Sequence, residues 1–201
     1  MSEPATTSTT TLRSDARRNR QRILVAAAEV FAECGVDAQM TDIATRAEVG
    51  IGTLYRHYST KEELIYSVVN AWFEDLLIAT EEAEKIADPA VSFRTFFEEM
   101  CVRVASAATL ARALHTPFTT MPRPVPAERR VVEIMCELVD RAQVAGTLRR
   151  DIVAQDLPPL LATIAEASHD DFYAHRNWKR YMELILDGLC TPAPSELAPR
   201  S

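Results

Sequence analysis

The chain has 201 residues, 47% of them hydrophobic and 25% charged, enough apolar material for one or two globular domains with a substantial core. Its formal net charge of −7 excludes a protein that coats nucleic acid by bulk charge, and no apolar run reaches the length of a membrane span. The opening MSEPATTSTTT lacks the basic and apolar regions of a secretory signal, so a cytoplasmic protein is expected.

The leader is polar, Ser/Thr-rich and aperiodic, and disorder is expected over residues 1–12. Arg13 to Arg22 then holds five arginines, Arg17 among them, against Asp15 alone. Residues 1–60 carry 7 basic and 7 acidic side chains, so the whole acidic excess belongs to residues 61–201. A local basic arm on an otherwise acidic molecule suits specific duplex binding with little non-specific adhesion. Ile23, Leu24, Ala27, Ala28 and Phe31 give this segment a helical stripe that ends at Gly35.

Next comes TDIATRAEVGIGTLYRHYSTK, Thr41 to Lys61, which reads as two short helices around a tight turn, with a helix-turn-helix spanning 40–59. Thr41 can cap the first helix, whose Ile43, Ala44 and Ala47 share one face. Gly50 and Gly52 bracket the turn, where the chain bends and the backbone can approach another surface closely. Leu54 and Tyr58, four apart, would anchor the second helix inward. Thr53, Tyr55, Arg56 and His57 then supply surface hydroxyls, a guanidinium and an imidazole, groups that bond phosphates and base edges. The plain alternative is a small helical hairpin with a solvated polar face.

Ser59 with Glu62, or Thr60 with Glu63, offers a capping box for a long helix reaching about Ile86, with Leu64, Val68, Trp72, Leu76 and Ala79 at near-helical spacing. Asp88 and Pro89 end it. A further helix from Val91 to Leu114 carries Phe93, Phe96, Phe97, Met100 and Val104 on one broad stripe, which ordinary core packing would explain. His115 to Arg129 contains Pro117, Pro122, Pro124 and Pro126 and is expected to be an irregular crossing that also holds Phe118 and Met121. A helix over Val131 to Ala145 stops at Gly146, and two last helices are expected from Asp156 to Ala174 and from Asn177 to Leu189. A flexible tail is expected over residues 191–201.

The segment from about Arg17 to Val69 resembles the N-terminal domain of TetR-family transcriptional regulators. The Arg-led helix, the break at Gly35, the Thr41 to Gly50 helix and turn, the GTLYRHY run and the STKEEL helix start carry the resemblance. It implies an all-α fold: a three-helix DNA-binding domain over 13–69 and a helical ligand-binding and dimerisation domain over 70–190. It also implies a homodimer, usually a repressor, that occupies a palindromic double-stranded DNA operator until a small-molecule effector enters the C-terminal domain. Thr41, Tyr55, His57 and Lys61 match positions that hold the DNA backbone, and base readout is assigned to Ile51, Gly52 and Thr53 with Arg56. Tyr58 stands where Phe is commoner, and Ile51 where a small or polar residue is usual.

In that family the helix carrying Phe96, Phe97 and Met100 lines a cavity. With Phe118, Met121 and a polar contact from His115 it would take an apolar or aromatic effector. The two last helices suit a four-helix dimer interface made with Leu161, Ile164, Ser168, Tyr181, Leu184 and Ile185. One alternative class is a metal-dependent helical enzyme using His169, Asp170, Asp171 and His175. The two histidines are six apart, about 120° off a common helix face, which weakens it. With no phosphate loop, nucleophile elbow or paired-Cys signature, neither a catalytic residue, a metal nor a cofactor is assigned. An effector-binding protein without DNA binding is the other alternative. Cys34, Cys101, Cys136 and Cys190 are expected to be free thiols, most of them packed as small apolar groups.

Overall fold

In a computed structural model, which describes residues 7–113, 126–169 and 178–190 together with Leu197, the chain folds into α-helices without strands among the described residues. They are α1 (Thr7–Cys34), α2 (Met40–Arg46), α3 (Ile51–His57), α4 (Lys61–Glu84), α5 (Pro89–Ala113), α6 (Pro126–Val144), α7 (Leu157–His169) and α8 (Trp178–Leu189). Two compact units result, one of Met1–Ala71 with Leu110–Thr120, the other of Trp72–Thr109 with Met121–Ser201. The sequence reading set the division after Val69.

In the first unit α1 packs on α2 and α2 on α3. The stripe read from α1 buries Ile23, Ala27 and Phe31, and Ala26 and Val30 join them. Ile43, Ala44 and Ala47 from α2, Leu54 and Tyr58 around α3, and Leu64 and Val68 from α4 are buried as well. The leader expected to be irregular through Leu12 is helical from Thr7. Once the Arg-rich turns nucleate α1, each further residue adds one hydrogen bond, so even the Thr-rich start propagates it. The start of α4 uses the second of the two capping pairs. Thr60 Oγ1 accepts the Glu63 N–H at 3.1 Å, and the Glu63 carboxylate accepts the Ser59 N–H at 2.8 Å.

The second unit is organised around the far end of α4. Arg141 on α6 donates to the carbonyls of Glu84 and Ile86 at 3.0 and 2.8 Å, satisfying groups that a helix end leaves without partners. Asp88 caps α5 by accepting the N–H groups of Ala90 and Val91, and Pro89 takes the first helical position, where no N–H is needed. Phe93, Phe96 and Phe97 are fully buried, the rings of Phe93 and Phe97 stacked with centroids 6.2 Å apart. They share this unit's core with Leu76, Ile134, Leu138, Leu157, Leu161 and Ile164.

The irregular crossing expected through Arg129 ends earlier, because α6 begins at Pro126. A proline is tolerated there for the same reason as at Pro89. Gly146 adopts φ +74°, and its N–H and that of Thr147 bond back to the carbonyls of Gln143 and Ala142, which closes α6. The turn beyond is tied to α8 through the Arg149 N–H, which donates to Leu189 O at 2.9 Å. Gln143 holds the same turn from α6 by donating to the carbonyls of Arg149 and Ile152. α7 packs against α8, which buries Met182, Leu186 and Leu189.

The cysteines depart from expectation. Cys101 is buried, Cys136 half-buried, and Cys34 and Cys190 exposed, so one of the four is packed as core. Cys34 and Cys190 fall at helix ends, where periodicity no longer predicts burial. No described helix is long and apolar enough to cross a membrane.

Candidate nucleic-acid interface

α3 is only seven residues long, and a helix that short is held by its anchors rather than by propensity. Leu54 is fully buried, and Tyr58, the residue closing the helix, is 3% exposed. The rest follows from 100° per residue. Ile51, Gly52, Tyr55 and Arg56 are exposed, while Thr53 and His57 sit half-buried at the margin. The outward arc therefore combines an aliphatic group, bare backbone, a phenol and a guanidinium, a mixture suited to thymine methyls, close groove approach, phosphates and base edges. An Ile and a Tyr at 40% and 49% exposure on so short a helix, with no use in the core of their own unit, suit contact with another surface.

The turn differs from the sequence reading in two ways. Thr41 does not cap α2; Gln39 occupies the cap position with no side-chain bond, and Thr41 is an exposed first-turn residue whose carbonyl accepts the Thr45 hydroxyl. α2 begins one residue before Thr41 because Met40 is drawn into the core. The left-handed backbone of the turn falls on Glu48, φ +51°, rather than on a glycine. Gly50 has an ordinary extended backbone, and a Cβ there would stand 3.9 Å from Thr53 Oγ1, an ordinary contact; one on Gly52 would meet nothing within 4 Å. Neither glycine is demanded by the chain's own packing, and a glycine inside a helix costs about 1 kcal/mol relative to alanine. Close approach of an outside surface is the remaining physical reason for Gly52.

The basic arm is divided in its use. Arg17 and Arg18 are exposed. Arg20 Nε donates to the Tyr58 hydroxyl at 3.3 Å, and Arg22 pairs with the Glu48 carboxylate at 2.6 Å. Arg46 on α2 forks onto Glu33 at 2.9 and 2.8 Å and reaches Glu29 at 3.4 Å, so its guanidinium is held charged and the Glu33 carboxyl lies below its ordinary value. The sequence count had treated these arginines alike, since only contacts across helices show which hydroxyl or carboxylate Arg20 and Arg22 meet. Lys61 stands half-buried at the first turn of α4, near the end of α3 in sequence.

The other assigned residues fall unevenly. Phe96, Phe97 and Met100 are buried on α5, whereas His115, Phe118 and Met121 lie outside the described residues. Leu161 and Ile164 are 2% and 1% exposed, buried within their own unit, so they have no surface left to give a partner. Leu184 is 58% exposed, with Tyr181 and Ile185 half-buried beside it, while the side chain of Ser168 is outside the described set. Of the proposed metal ligands, Asp170, Asp171 and His175 are outside the described residues, and of His169 only the backbone, at the end of α7, is within them. Among the described residues no group of three His, Cys, Asp or Glu side chains could hold a metal.

Residues 23–68 match the family model for bacterial regulatory proteins of the tetR family, and residues 88–191 match that of the C-terminal domain of SbtR-like transcriptional regulators. The fold resembles the TetR transcriptional regulator SCO0520 from Streptomyces coelicolor, 30% identical, with 87% of this chain and 99% of that one covered at a TM-score of 0.63. A TetR regulatory protein from Mycobacterium vanbaalenii gives the same identity and TM-score over 90% of this chain and 99% of its own. The HTH-type transcriptional regulator SAUSA300_2515 of Staphylococcus aureus is 41% identical over 78 residues, 38% of this chain. The match spans 40% of that curated relative's length. Two family models that between them take in the helix-turn-helix and the C-terminal half, on a fold shared along nearly the whole chain, establish that the protein belongs to the TetR family of transcriptional regulators.

Proposed function

We propose that the protein is a cytoplasmic repressor that binds a palindromic DNA operator as a homodimer and leaves it when a small apolar or aromatic effector occupies the second unit. The observation that carries this reading is the outward arc of α3, with Ile51, Gly52, Tyr55 and Arg56 exposed over a buried Leu54. Base readout falls to Ile51, Gly52, Thr53 and Arg56. Arg17, Thr41, Tyr55, His57 and Lys61 hold phosphates. Dimerisation is supported by α8, which has a second apolar sector besides the one it buries. Tyr181, Leu184, Ile185 and Gly188 fall within an arc of about 100°, opposite the charged Lys179, Glu183 and Asp187. Two recognition helices about 34 Å apart enter successive major grooves, and an effector that prefers another spacing lowers operator affinity.

A buried apolar stripe on α5, Phe96, Phe97 and Met100, supports an apolar or aromatic effector over a sugar or a nucleotide. Duplex selection from a random library with the full chain, followed by a screen of apolar and aromatic compounds for release of the selected duplex, tests the whole reading. Recovery of a palindrome that such a compound displaces is the expected result. A protein that enriches no sequence, or whose selected site lacks two-fold symmetry, is not the regulator described. Met100→Trp should fill the cavity and leave a protein that binds the duplex but ignores the compound. Normal release with unaltered compound affinity would return α5 to plain core.

A further inference from the structure

Five arginines over Arg13 to Arg22, nearly three turns of α1, read as an electrostatic arm, yet two of them are committed to α3 and the turn before it. Arg22 pairs with Glu48 at 2.6 Å, with a weaker reach of 3.4 Å to the Glu48 carbonyl. Glu48 stands two residues before the cap of α3 and is the one described residue other than glycine with positive φ. A glutamate in that conformation crowds its own Cβ against the following carbonyl, and such geometry persists only when its surroundings hold it. At the other end, Arg20 Nε donates to the hydroxyl of Tyr58, the closing residue of α3. Arg20 and Arg22 leave α1 about 200° apart, so α1 reaches the start and the end of the short helix from either flank.

We infer that Arg22, seconded by Arg20, is a positioning residue that fixes the pose of the recognition helix through Glu48, and that Arg22 is not a phosphate contact. The inference rests on the reading of α3 as the DNA-reading helix. Its electrostatic argument is direct. A guanidinium already 2.6 Å from a carboxylate has little net charge to offer a phosphate, and the Glu48 carboxylate, 83% exposed, would itself repel one. Removing a phosphate ligand lowers the salt slope of binding by about one, whereas removing a brace weakens binding with the slope kept. Because the pair is partly exposed, the effect is modest, about threefold to fivefold in affinity.

The test uses the full chain and the duplex that the wild-type protein selects. Arg22→Ala is expected to weaken binding about threefold to fivefold across salt concentrations with an unchanged slope. Without DNA, it should speed hydrogen exchange at the Thr53 and Leu54 amides, which bond to Gly50 O at the start of α3. Arg22→Glu combined with Glu48→Arg should restore both readouts, since the pair is rebuilt in reverse. Glu48→Gly relieves the backbone and so folds, but should still lose affinity because the clamp is gone. A slope lowered by one with α3 exchange unchanged would make Arg22 a phosphate ligand and overturn the inference. Unchanged affinity and exchange in Arg22→Ala would overturn it also. If the wild-type protein selects no duplex, the DNA reading fails on its own, and the exchange and rescue arms still judge the brace.

Discussion

Ser92 on α5 donates its hydroxyl hydrogen to the carbonyl of Ala83 on α4 at 2.7 Å, with Ser92 and Ala83 both buried. This places one side-chain bond inside the core where the last turn of α4 meets the first turns of α5. The Ala83 carbonyl also accepts the Ile86 N–H at 3.2 Å, so it would not be orphaned by loss of the hydroxyl. Ser92→Ala should therefore cost about 1 kcal/mol, the net worth of one hydrogen bond, rather than the larger penalty of an unsatisfied buried acceptor. Urea unfolding checks this, and a loss near 3 kcal/mol would mean that the second bond does not hold the carbonyl.

The roles proposed for Lys61 and Thr53 are two kinds of DNA contact that measurement can tell apart. Lys61→Ala should weaken the selected duplex and a scrambled one by similar factors and lower the salt slope by about one. Thr53→Ala should instead change the preference among single-base variants of the duplex, with the slope kept. An unchanged slope removes Lys61 from the phosphate set, and an unchanged preference removes Thr53 from base readout.

Leu184 and Leu161 make a pair of opposite tests on the two closing helices. Leu184 is 58% exposed within the protomer, so Leu184→Glu should leave a folded chain and convert dimer to monomer in sedimentation. Leu161 is 2% exposed, so Leu161→Glu places a charge in the core and should unfold the second unit, a cost of several kcal/mol. A Leu184→Glu protein that sediments as a dimer would locate the interface off this face of α8.

Burial pushes the Cys101 thiol up to about 12, with the Glu98 carboxylate adding to it. At pH 8 only on the order of one Cys101 in ten thousand would be thiolate, so a thiol reagent should modify exposed Cys34 and spare Cys101 until the chain unfolds. The same shift fixes the sign of a pH effect. The folded state holds the proton more tightly, so the contribution is fully present below the unfolded value and is lost as pH rises toward 12. Cys101→Ala should flatten that alkaline part of the stability profile. Mass mapping of label after brief exposure at pH 8 decides the first point, and early labelling of Cys101 would show that α5 opens locally.

The sequence alone determined what depends on order along a single helix. Spacing of four between Leu54 and Tyr58 puts both inward, so the outward placement of Tyr55 and Arg56 was legible before any coordinates, while Thr53 and His57, read as surface groups, sit half-buried at the margin. Also legible were the break at Gly146 and the capping of α4, where Thr60 and Glu63 are three apart. The tertiary structure decided what depends on which elements meet. Periodicity gives the angle of Leu161 and of Leu184 about their helix axes, but only packing shows that the first sector is consumed by its own unit and the second is left open. Likewise the glycines of the turn suggested where the backbone would be unusual. The left-handed residue proved to be Glu48, whose carboxylate meets Arg22, 26 positions earlier in the chain, at 2.6 Å. A charge count cannot foresee that, since Coulombic pairing follows distance in space rather than separation in sequence.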